Sequence, residues 1–427
     1  MRPVKIPSVI LNVTGIIIGA CLLWACDSGP GESQGSDAKE NAVKPALQFM
    51  DGSAGLPETG MWREGLALAD LNGDGHMDIA APPPRKAEEW PNKPAAWYGD
   101  GRGQWRQAKL QMPDIQYHYG DVAVADFTGD GKWDMALAMH GVPLTALKGL
   151  GQGRYADFSE GMPSGKLFLG RALAAADINK DGRPDVVTLT EKANYTEWDG
   201  VWVCYYTDKK WACSPIGEGD KAAGLFGKRV TTGDVNGDGN PDIAVGAYSG
   251  NKSMIIWLGD GNGGFTPFNK GLPTHLIYAS VTLVDIDGDG RDDLVTAISG
   301  FGKDAVCGLK VFLSREDGFE EMSDGLPQKT VMYAANAGDL DGDGRIEVIG
   351  GNIAGGLDVF YLNGKGWKKA PVSGLPEKGL SRIYSIYVQD MNGDGKEDLV
   401  VNYASERGGP SGKAGGGIRV FLNEHVK

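Results

Sequence analysis

Short apolar runs recur along the chain, each closed by a polar, Gly-rich turn. Leu66-Ala67-Leu68-Ala69 and Val122-Ala123-Val124-Ala125 are runs of small and branched residues, and an acidic segment follows each. A β-rich run comes next, as in Ile243-Ala244-Val245-Gly246-Ala247, and then another, as in Met254-Ile255-Ile256-Trp257-Leu258. The turn Gly259-Asp260-Gly261-Asn262-Gly263-Gly264 leads to a short final run opened by Phe265. Runs of this length, rich in branched and aromatic residues and bounded by turn residues, predict strands. The unit is thus four strands long.

The acidic segment fixes how often the unit repeats. The pattern D-x-[D/N]-x-D-G-x-x-D begins at Asp70, Asp126, Asp177, Asp234, Asp285, Asp339 and Asp390, at spacings of 56, 51, 57, 51, 54 and 51 residues. A near-constant period of this size marks a repeat array. Four-stranded units repeated radially predict an all-β fold, a seven-bladed β-propeller of four-stranded blades. Small residues in the first strand suit the innermost position, where seven strands crowd the axis. The last repeat ends at its third strand, Ile418-Arg419-Val420-Phe421-Leu422, and lacks a fourth. Leu47-Gln48-Phe49-Met50-Asp51 with Gly55-Leu56-Pro57 matches the fourth strand and exit turn at Phe268 and Gly271-Leu272-Pro273. The N-terminal strand is therefore expected to close the ring, which removes the open sheet edges that invite aggregation. The propeller is expected to span 47–427 as one domain.

Each acidic loop offers oxygen ligands only: side chains at positions 1, 3, 5 and 9 and a backbone carbonyl at position 7, with Gly at position 6. Hard cations take such cages, and Ca²⁺ tolerates irregular geometry. The ligand sets are Asp70, Asn72, Asp74, His76 and Asp78; Asp126, Thr128, Asp130, Lys132 and Asp134; Asp177, Asn179, Asp181, Arg183 and Asp185; Asp234, Asn236, Asp238, Asn240 and Asp242; Asp285, Asp287, Asp289, Arg291 and Asp293; Asp339, Asp341, Asp343, Arg345 and Glu347; and Asp390, Asn392, Asp394, Lys396 and Asp398. The seventh-position residues enter through their carbonyls. Thr128 weakens the second set, and the longer arm of Glu347 is expected to shift the sixth. An EF-hand is excluded, because it needs a bidentate Glu at position 12 and flanking helices. Here position 12 is Ala81, Leu137, Thr188, Val245, Thr296, Gly350 or Val401. The nonapeptide Ca²⁺ β-helix is excluded by the period.

These loops, with Phe226-Gly227 before the fourth and Gly246-Ala247 after it, resemble the FG-GAP (VCBS-like) repeats of integrin α-subunit propellers, shared by many bacterial surface proteins and some fungal lectins. The resemblance covers about residues 47–427 and implies a Ca²⁺-stabilised propeller, with up to seven structural ions. It also implies a partner-binding role.

Charge adds to this picture. Lys plus Arg number 42 and Asp plus Glu 56, a formal net charge of −14. An acidic chain does not suit nucleic-acid binding, which needs a basic surface. Removing residues 1–25 takes the charge to −16, and seven Ca²⁺ would leave −2.

The first 25 residues read as a lipoprotein signal peptide. Arg2 and Lys5 precede an apolar run from Val9 to Ala25, and Leu23-Trp24-Ala25-Cys26 resembles a bacterial lipobox. Cys26 is the expected lipidation site and Cys21 the alternative. Residues 26–46 are a polar tether with an r.m.s. reach of roughly 25 Å. The expected location is the bacterial cell envelope, with the folded part outside the cytoplasm and held to the membrane by lipid alone.

Cys204 and Cys213 flank Thr207-Asp208-Lys209-Lys210. If Asp208-Lys209 is a two-residue hairpin loop, the cysteines face each other at a non-hydrogen-bonded pair, and an exported protein keeps such a disulfide. The stretch Gly259–Gly264 satisfies G-x-G-x-x-G, but no helix follows, so the dinucleotide mechanism is lacking.

In this topology the acidic loops lie on one face, and the second-to-third-strand loops and inter-blade connections lie on the other. The candidate partner contacts belong to that other face: Trp62, Arg63, Tyr117, His118, Tyr119, Arg171, Arg229, Tyr278, Tyr333, Arg382 and Tyr384 around the mouth of the axial channel, and Trp90 in the 81–96 loop. Aromatics and Arg anchor binding surfaces, although some of these side chains are expected to pack between blades. Loops 81–96 and 403–417, in blades that closure makes neighbours, are the first expected partner edge. Three function classes follow: a module for an envelope or extracellular protein, a carbohydrate-binding lectin, or a polysaccharide lyase using His118, His140, Tyr119 or Arg63. The first is preferred, and no catalytic residue is assigned.

Overall fold

The apolar runs form strands, and the strands form antiparallel sheets that follow one another in chain order around an axis. The computed structural model describes residues 46–424 except 86–89, 165–167, 191–199, 217–226, 248–253, 301–305, 365 and 406–414. The expected signal peptide, Cys26 and the tether up to residue 45 lie outside the described residues, as do residues 406–414 of the 403–417 loop. Seven blades span 67–107, 120–157, 170–215, 227–267, 278–321, 332–369 and 382–423. Blade 2 is typical, with strands Gly120–Ala125, Asp134–Met139, Thr145–Gly151 and Arg154–Asp157 from the axis outward.

The seventh blade is completed by the other end of the chain. Strand Leu47–Asp51 pairs antiparallel with Gly415–Asn423, matching Phe49 with Asn423 and Asp51 with Phe421. A short strand, Val372–Ser373, adds parallel to Leu47 and Gln48 and makes this sheet five-stranded. The ring is therefore closed by main-chain hydrogen bonds between residues more than 300 positions apart.

The core is divided between the blades. One cluster joins Val187 and Val203 of blade 3 to Val230, Ile243 and Trp257 of blade 4; another joins Leu66 and Ile79 of blade 1 to Val400 and Ile418 of blade 7. Second strands are buried on both faces, as in Asp134–Met139 and Asp293–Ser299. They accordingly read as continuous apolar runs with little alternation.

A further lock repeats at the rim. The exit turn of one blade meets the outermost strand of the next. Trp105, Trp211, Phe319 and Trp367 donate their backbone N–H groups to Ala54, Glu160, Lys270 and Asp324 at 2.7–2.8 Å. The indole N–H groups of Trp105, Trp211 and Trp367 reach Gly52, Phe158 and Met322 carbonyls. The turn glycine has no substitute here: Gly161 has φ +92, and a Cβ would lie 2.0 Å from the Trp211 carbonyl oxygen. The Gly-Leu-Pro signature thus encodes a blade-to-blade contact.

In blade 3, Asp208 and Lys209 both take positive φ, 50° and 63°, and Thr207 pairs with Lys210. This is a two-residue loop of the primed kind that matches strand twist. It sets Cys204 opposite Cys213, which are bonded at S–S 2.02 Å. Cys307 is a buried free thiol.

Candidate functional site

The acidic loops wrap tightly around their first carboxylate. In the first loop, Asp70 Oδ1 accepts the N–H groups of Gly73 and Asp74, and Oδ2 accepts that of Gly75. Asn72 accepts from Asp74, and Asp74 from His76. The fourth loop repeats the pattern at Asp234, Asn236 and Asp238. Two tight bends require positive φ at positions 4 and 6, which is why both are usually Gly. The third loop has Lys180 at position 4, held at φ +56.

The ninth-position carboxylate does something different. It lies buried at the start of the second strand and staples three segments. Asp242 accepts Val235 N–H on one oxygen and Gly259 N–H on the other, at 2.7 and 2.8 Å. Asp78, Asp293 and Asp398 bridge their loops and third strands in the same way. Glu347 keeps the same contact in the sixth loop, accepting Leu340 N–H at 2.9 Å, so its longer arm is accommodated.

Burial is the main force on these groups. It pushes Asp78, Asp185, Asp242 and Asp293 up to about 7, and Asp134 and Asp398 up to about 6, against opposing N–H donors; neighbouring loop carboxylates add to the rise. The outer fifth-position carboxylates are instead paired with seventh-position cations: Asp181 with Arg183 at 3.0 Å, Asp289 with Arg291 at 2.9 Å and Asp343 with Arg345 at 2.7 Å. Such exposed pairs are screened by water and salt, contribute little, and do not neutralise the buried acid. The donor set fits a hard cation: Asp285, Asp287 and Asp289 bring carboxylate oxygens within 4.8 Å of one another, as do Asp339, Asp341 and Glu347. Oxygen ligands at a compact, partly buried site are what Ca²⁺ or a similar ion requires.

The opposite face holds several separate clusters in place of one continuous ring. Trp62, Trp90 and Trp97 meet edge to face at 5.2–6.0 Å, with Trp62 and Trp97 in the core and Trp90 half-buried. His118 and His140 lie 4.5 and 5.2 Å from the Tyr119 ring, and the Arg85 guanidinium lies 5.0 Å over it. Arg382 stacks at 4.1 Å on Tyr333 and donates to the Tyr384 hydroxyl at 3.2 Å. His118 is held below its ordinary value by burial and by the charges of His140 and Arg85.

A fourth cluster spans the axis. Arg229 reaches from blade 4 to the Tyr384 carbonyl and Ser385 hydroxyl of blade 7. Glu64 pairs with Arg63 at 2.7 Å and Arg171 at 3.6 Å. Burial pushes Glu64 up, but Arg63, Arg171 and Arg229 outweigh it and hold it below its usual value. Asp121, buried beside them, is pushed up to about 6. Five of the expected contact residues take packing positions, as expected of some of them. Trp62, Tyr117, Tyr278, Tyr333 and Tyr384 are buried, and the hydroxyls of Tyr117 and Tyr278 bond the Pro113 and Pro273 carbonyls. Bulges at the start of the innermost strands, next to Gly170, Met332 and Ile383, re-aim Arg171, Tyr333 and Tyr384. Glu64 and Asp121 are site residues that the residue pattern did not single out, whereas Arg85 belongs to the 81–96 loop expected as a partner edge; an acid between Arg63 and Gly65 was the available signal for Glu64.

The family model for the FG-GAP-like repeat matches residues 218–296 and 339–401. Integrin alpha pat-2 of Caenorhabditis briggsae is 32% identical over 202 residues, covering 45% of this chain and 14% of that protein. Phosphatidylinositol-glycan-specific phospholipase D of Mus musculus is 31% identical over 151 residues, covering 30% of this chain and 18% of that protein. The chain thus matches a small part of each relative's length. The solved structure of BBS1N in complex with ARL6DN, soaked with lead, superposes with a TM-score of 0.52 at 11% identity, covering 89% of this chain and 98% of that chain, which speaks to fold alone. The chain carries FG-GAP-like repeats, is similar to integrin alpha chains, and folds as a seven-bladed β-propeller.

Proposed function

We propose that this protein is a calcium-stabilised binding module for a protein partner, held at the bacterial cell envelope by a lipid on Cys26. The similarity to integrin alpha chains supports a protein-binding role. The observation that carries the reading is the division of labour between faces. Acidic loops with metal-compatible geometry occupy one side, and clusters of half-buried Arg, His and aromatic side chains occupy the other. Calcium serves the fold by neutralising the loops, and the opposite face serves recognition, with Arg85, His118, Tyr119, Arg382 and Trp90 as its partly exposed anchors. The apolar run before Cys26 and the polar tether after it support the lipid anchor.

Site-specific photocrosslinking in the native host tests this. A crosslinker at Tyr119 or Arg382 is expected to yield one discrete protein adduct, and one at Lys209 or Asp238 none. Equal adducts from both faces would overturn the assignment. A second reading, an anionic glycan as ligand, is favoured by the convergence of Arg85, His118, Tyr119 and His140. Binding to a uronate-containing array that is lost in Arg85→Ala would replace the first reading with a lectin or lyase.

A further inference from the structure

Two neighbouring pairs of acidic loops are joined by a contact that the other pairs lack. The residue at position 8 of the motif is Met77, Trp133, Pro184, Pro241, Asp292, Ile346 or Glu397, so only the fifth and seventh loops carry an acid there. The residue just before the motif is Ala69, Ala125, Ala176, Gly233, Val284, Gly338 or Gln389, so only the fourth and sixth loops are preceded by Gly. The fold explains the coincidence. Asp292 of blade 5 reaches back to blade 4, where its Oδ2 accepts the Asp234 N–H at 2.8 Å. Its own N–H donates to the Asp234 carbonyl at 2.7 Å. Glu397 of blade 7 is aimed at the matching place in blade 6, its buried Oε2 lying against Gly338, next to Asp339. A Cβ at Gly233 would stand 2.4 Å from Asp292 Oδ2, and one at Gly338 would stand 2.1 Å from Glu397 Oε2. Glycine is what lets each carboxylate in.

Both clamps are braced from the third strand. In blade 5, Ser314 donates its hydroxyl to the Asp292 carbonyl at 2.6 Å and its N–H to Asp293. In blade 7, the Asn423 amide donates to both Leu340 O in blade 6, at 2.6 Å, and Glu397 O in blade 7, at 3.0 Å. The eighth residue also sits between two metal-facing positions. Asp292 lies between the Arg291 carbonyl and the Asp293 carboxylate, and Glu397 between Lys396 and Asp398. The far end of Asp292 holds position 1 of the preceding loop, and that of Glu397 lies beside it.

We infer that Asp292 and Glu397 are positioning residues that couple cation binding in loops 4 and 5 and in loops 6 and 7, leaving loops 1, 2 and 3 to fill independently. An ion that fixes Asp234 fixes residue 292, and with it two donors of the next loop. Binding energy at one loop is thereby shared with its neighbour, which is the condition for positive coupling. The inference rests on the calcium reading above.

The test is a Ca²⁺ titration of the full chain by calorimetry. Asp238→Ala disables loop 4, and Asp130→Ala disables loop 2 as the control. The loop 2 variant is expected to lose one site and leave the rest unchanged. The loop 4 variant is expected to lose one site and weaken a second by at least five-fold, the lower end of typical coupling. That second effect should vanish when Asp292→Ala is present in both the reference and the test protein. It should persist with Asp292→Asn, whose amide oxygen still accepts the Asp234 N–H. The pair Asp343→Ala and Glu397→Ala repeats the test in blades 6 and 7, so a failure of Asp292→Ala to fold leaves the inference testable. Loss of a single site in both loop 4 and loop 6 variants, or weakening that survives removal of the clamp, overturns it. Independent loops that all bind Ca²⁺ would overturn the coupling alone, whereas no binding by the wild-type chain would overturn the calcium reading with it.

Discussion

Removing metal is expected to give this protein an unusual dependence on pH. Six ninth-position aspartates are buried, and their values rise from 3.8 to about 6 at Asp134 and Asp398 and to about 7 at Asp78, Asp185, Asp242 and Asp293. The metal-free folded chain therefore holds these protons more tightly than the unfolded chain. The stability they contribute is complete below pH 3.8 and is lost as pH rises through 6 to 7. Each pKa step is worth about 1.4 kcal/mol, so ionising one such group in the metal-free fold costs about 3–4 kcal/mol. A cation bound in a loop would favour the ionised carboxylate and offset this cost. Thermal unfolding of the full chain in EDTA, followed from pH 4 to pH 8, is expected to show a melting temperature that falls as pH rises from about 4 and levels off above about pH 6 to 7. Excess Ca²⁺ should remove the fall. Ordinary exposed carboxylates titrate near pH 4 and cannot extend a fall up to pH 6 to 7. A metal-free melting temperature that is flat or rises across this range would refute the reasoning.

Three other outcomes follow from the packing. Gly161→Ala forces a Cβ against the Trp211 carbonyl at positive φ and should cost about 2–4 kcal/mol, read as a lower urea midpoint with little change in slope. Breaking the Cys204–Cys213 bond by Cys204→Ser with Cys213→Ser opens a short loop and should cost about 2–3 kcal/mol, while leaving the far-ultraviolet dichroism of the sheets intact. Thr128→Asp supplies the carboxylate that the second loop lacks and should tighten one calcium site several-fold, since ligand charge tunes affinity; an unchanged isotherm would mean position 3 does not ligate there.

What could be read from the residues was whatever depends on local chemistry. The nine-residue loops identify themselves because a carboxylate cage needs acids at fixed offsets and glycines at the bends. Ring closure was legible because the chain's first strand repeats the missing fourth strand of its last blade, down to Gly55-Leu56-Pro57. Other features depend on neighbours distant in sequence. Tyr278 and Tyr333 have the composition of a binding surface, but the blades beside them cover their rings. Arg229 looked like a rim residue, yet it crosses the axis to Ser385, 156 positions away. The pairing of Gly233 with Asp292 is written in the sequence, but its meaning needs the lateral register of two blades.

The central claim is that cations staple the blades through these loops. Its most direct measurement is the calcium bound per chain, determined by elemental analysis after dialysis of the full chain against dilute calcium. Six or seven ions per chain, falling by one for each fifth-position Asp→Ala substitution outside the clamped pairs, is the predicted result. A chain that holds no calcium, yet melts at the same temperature with and without EDTA, would contradict it.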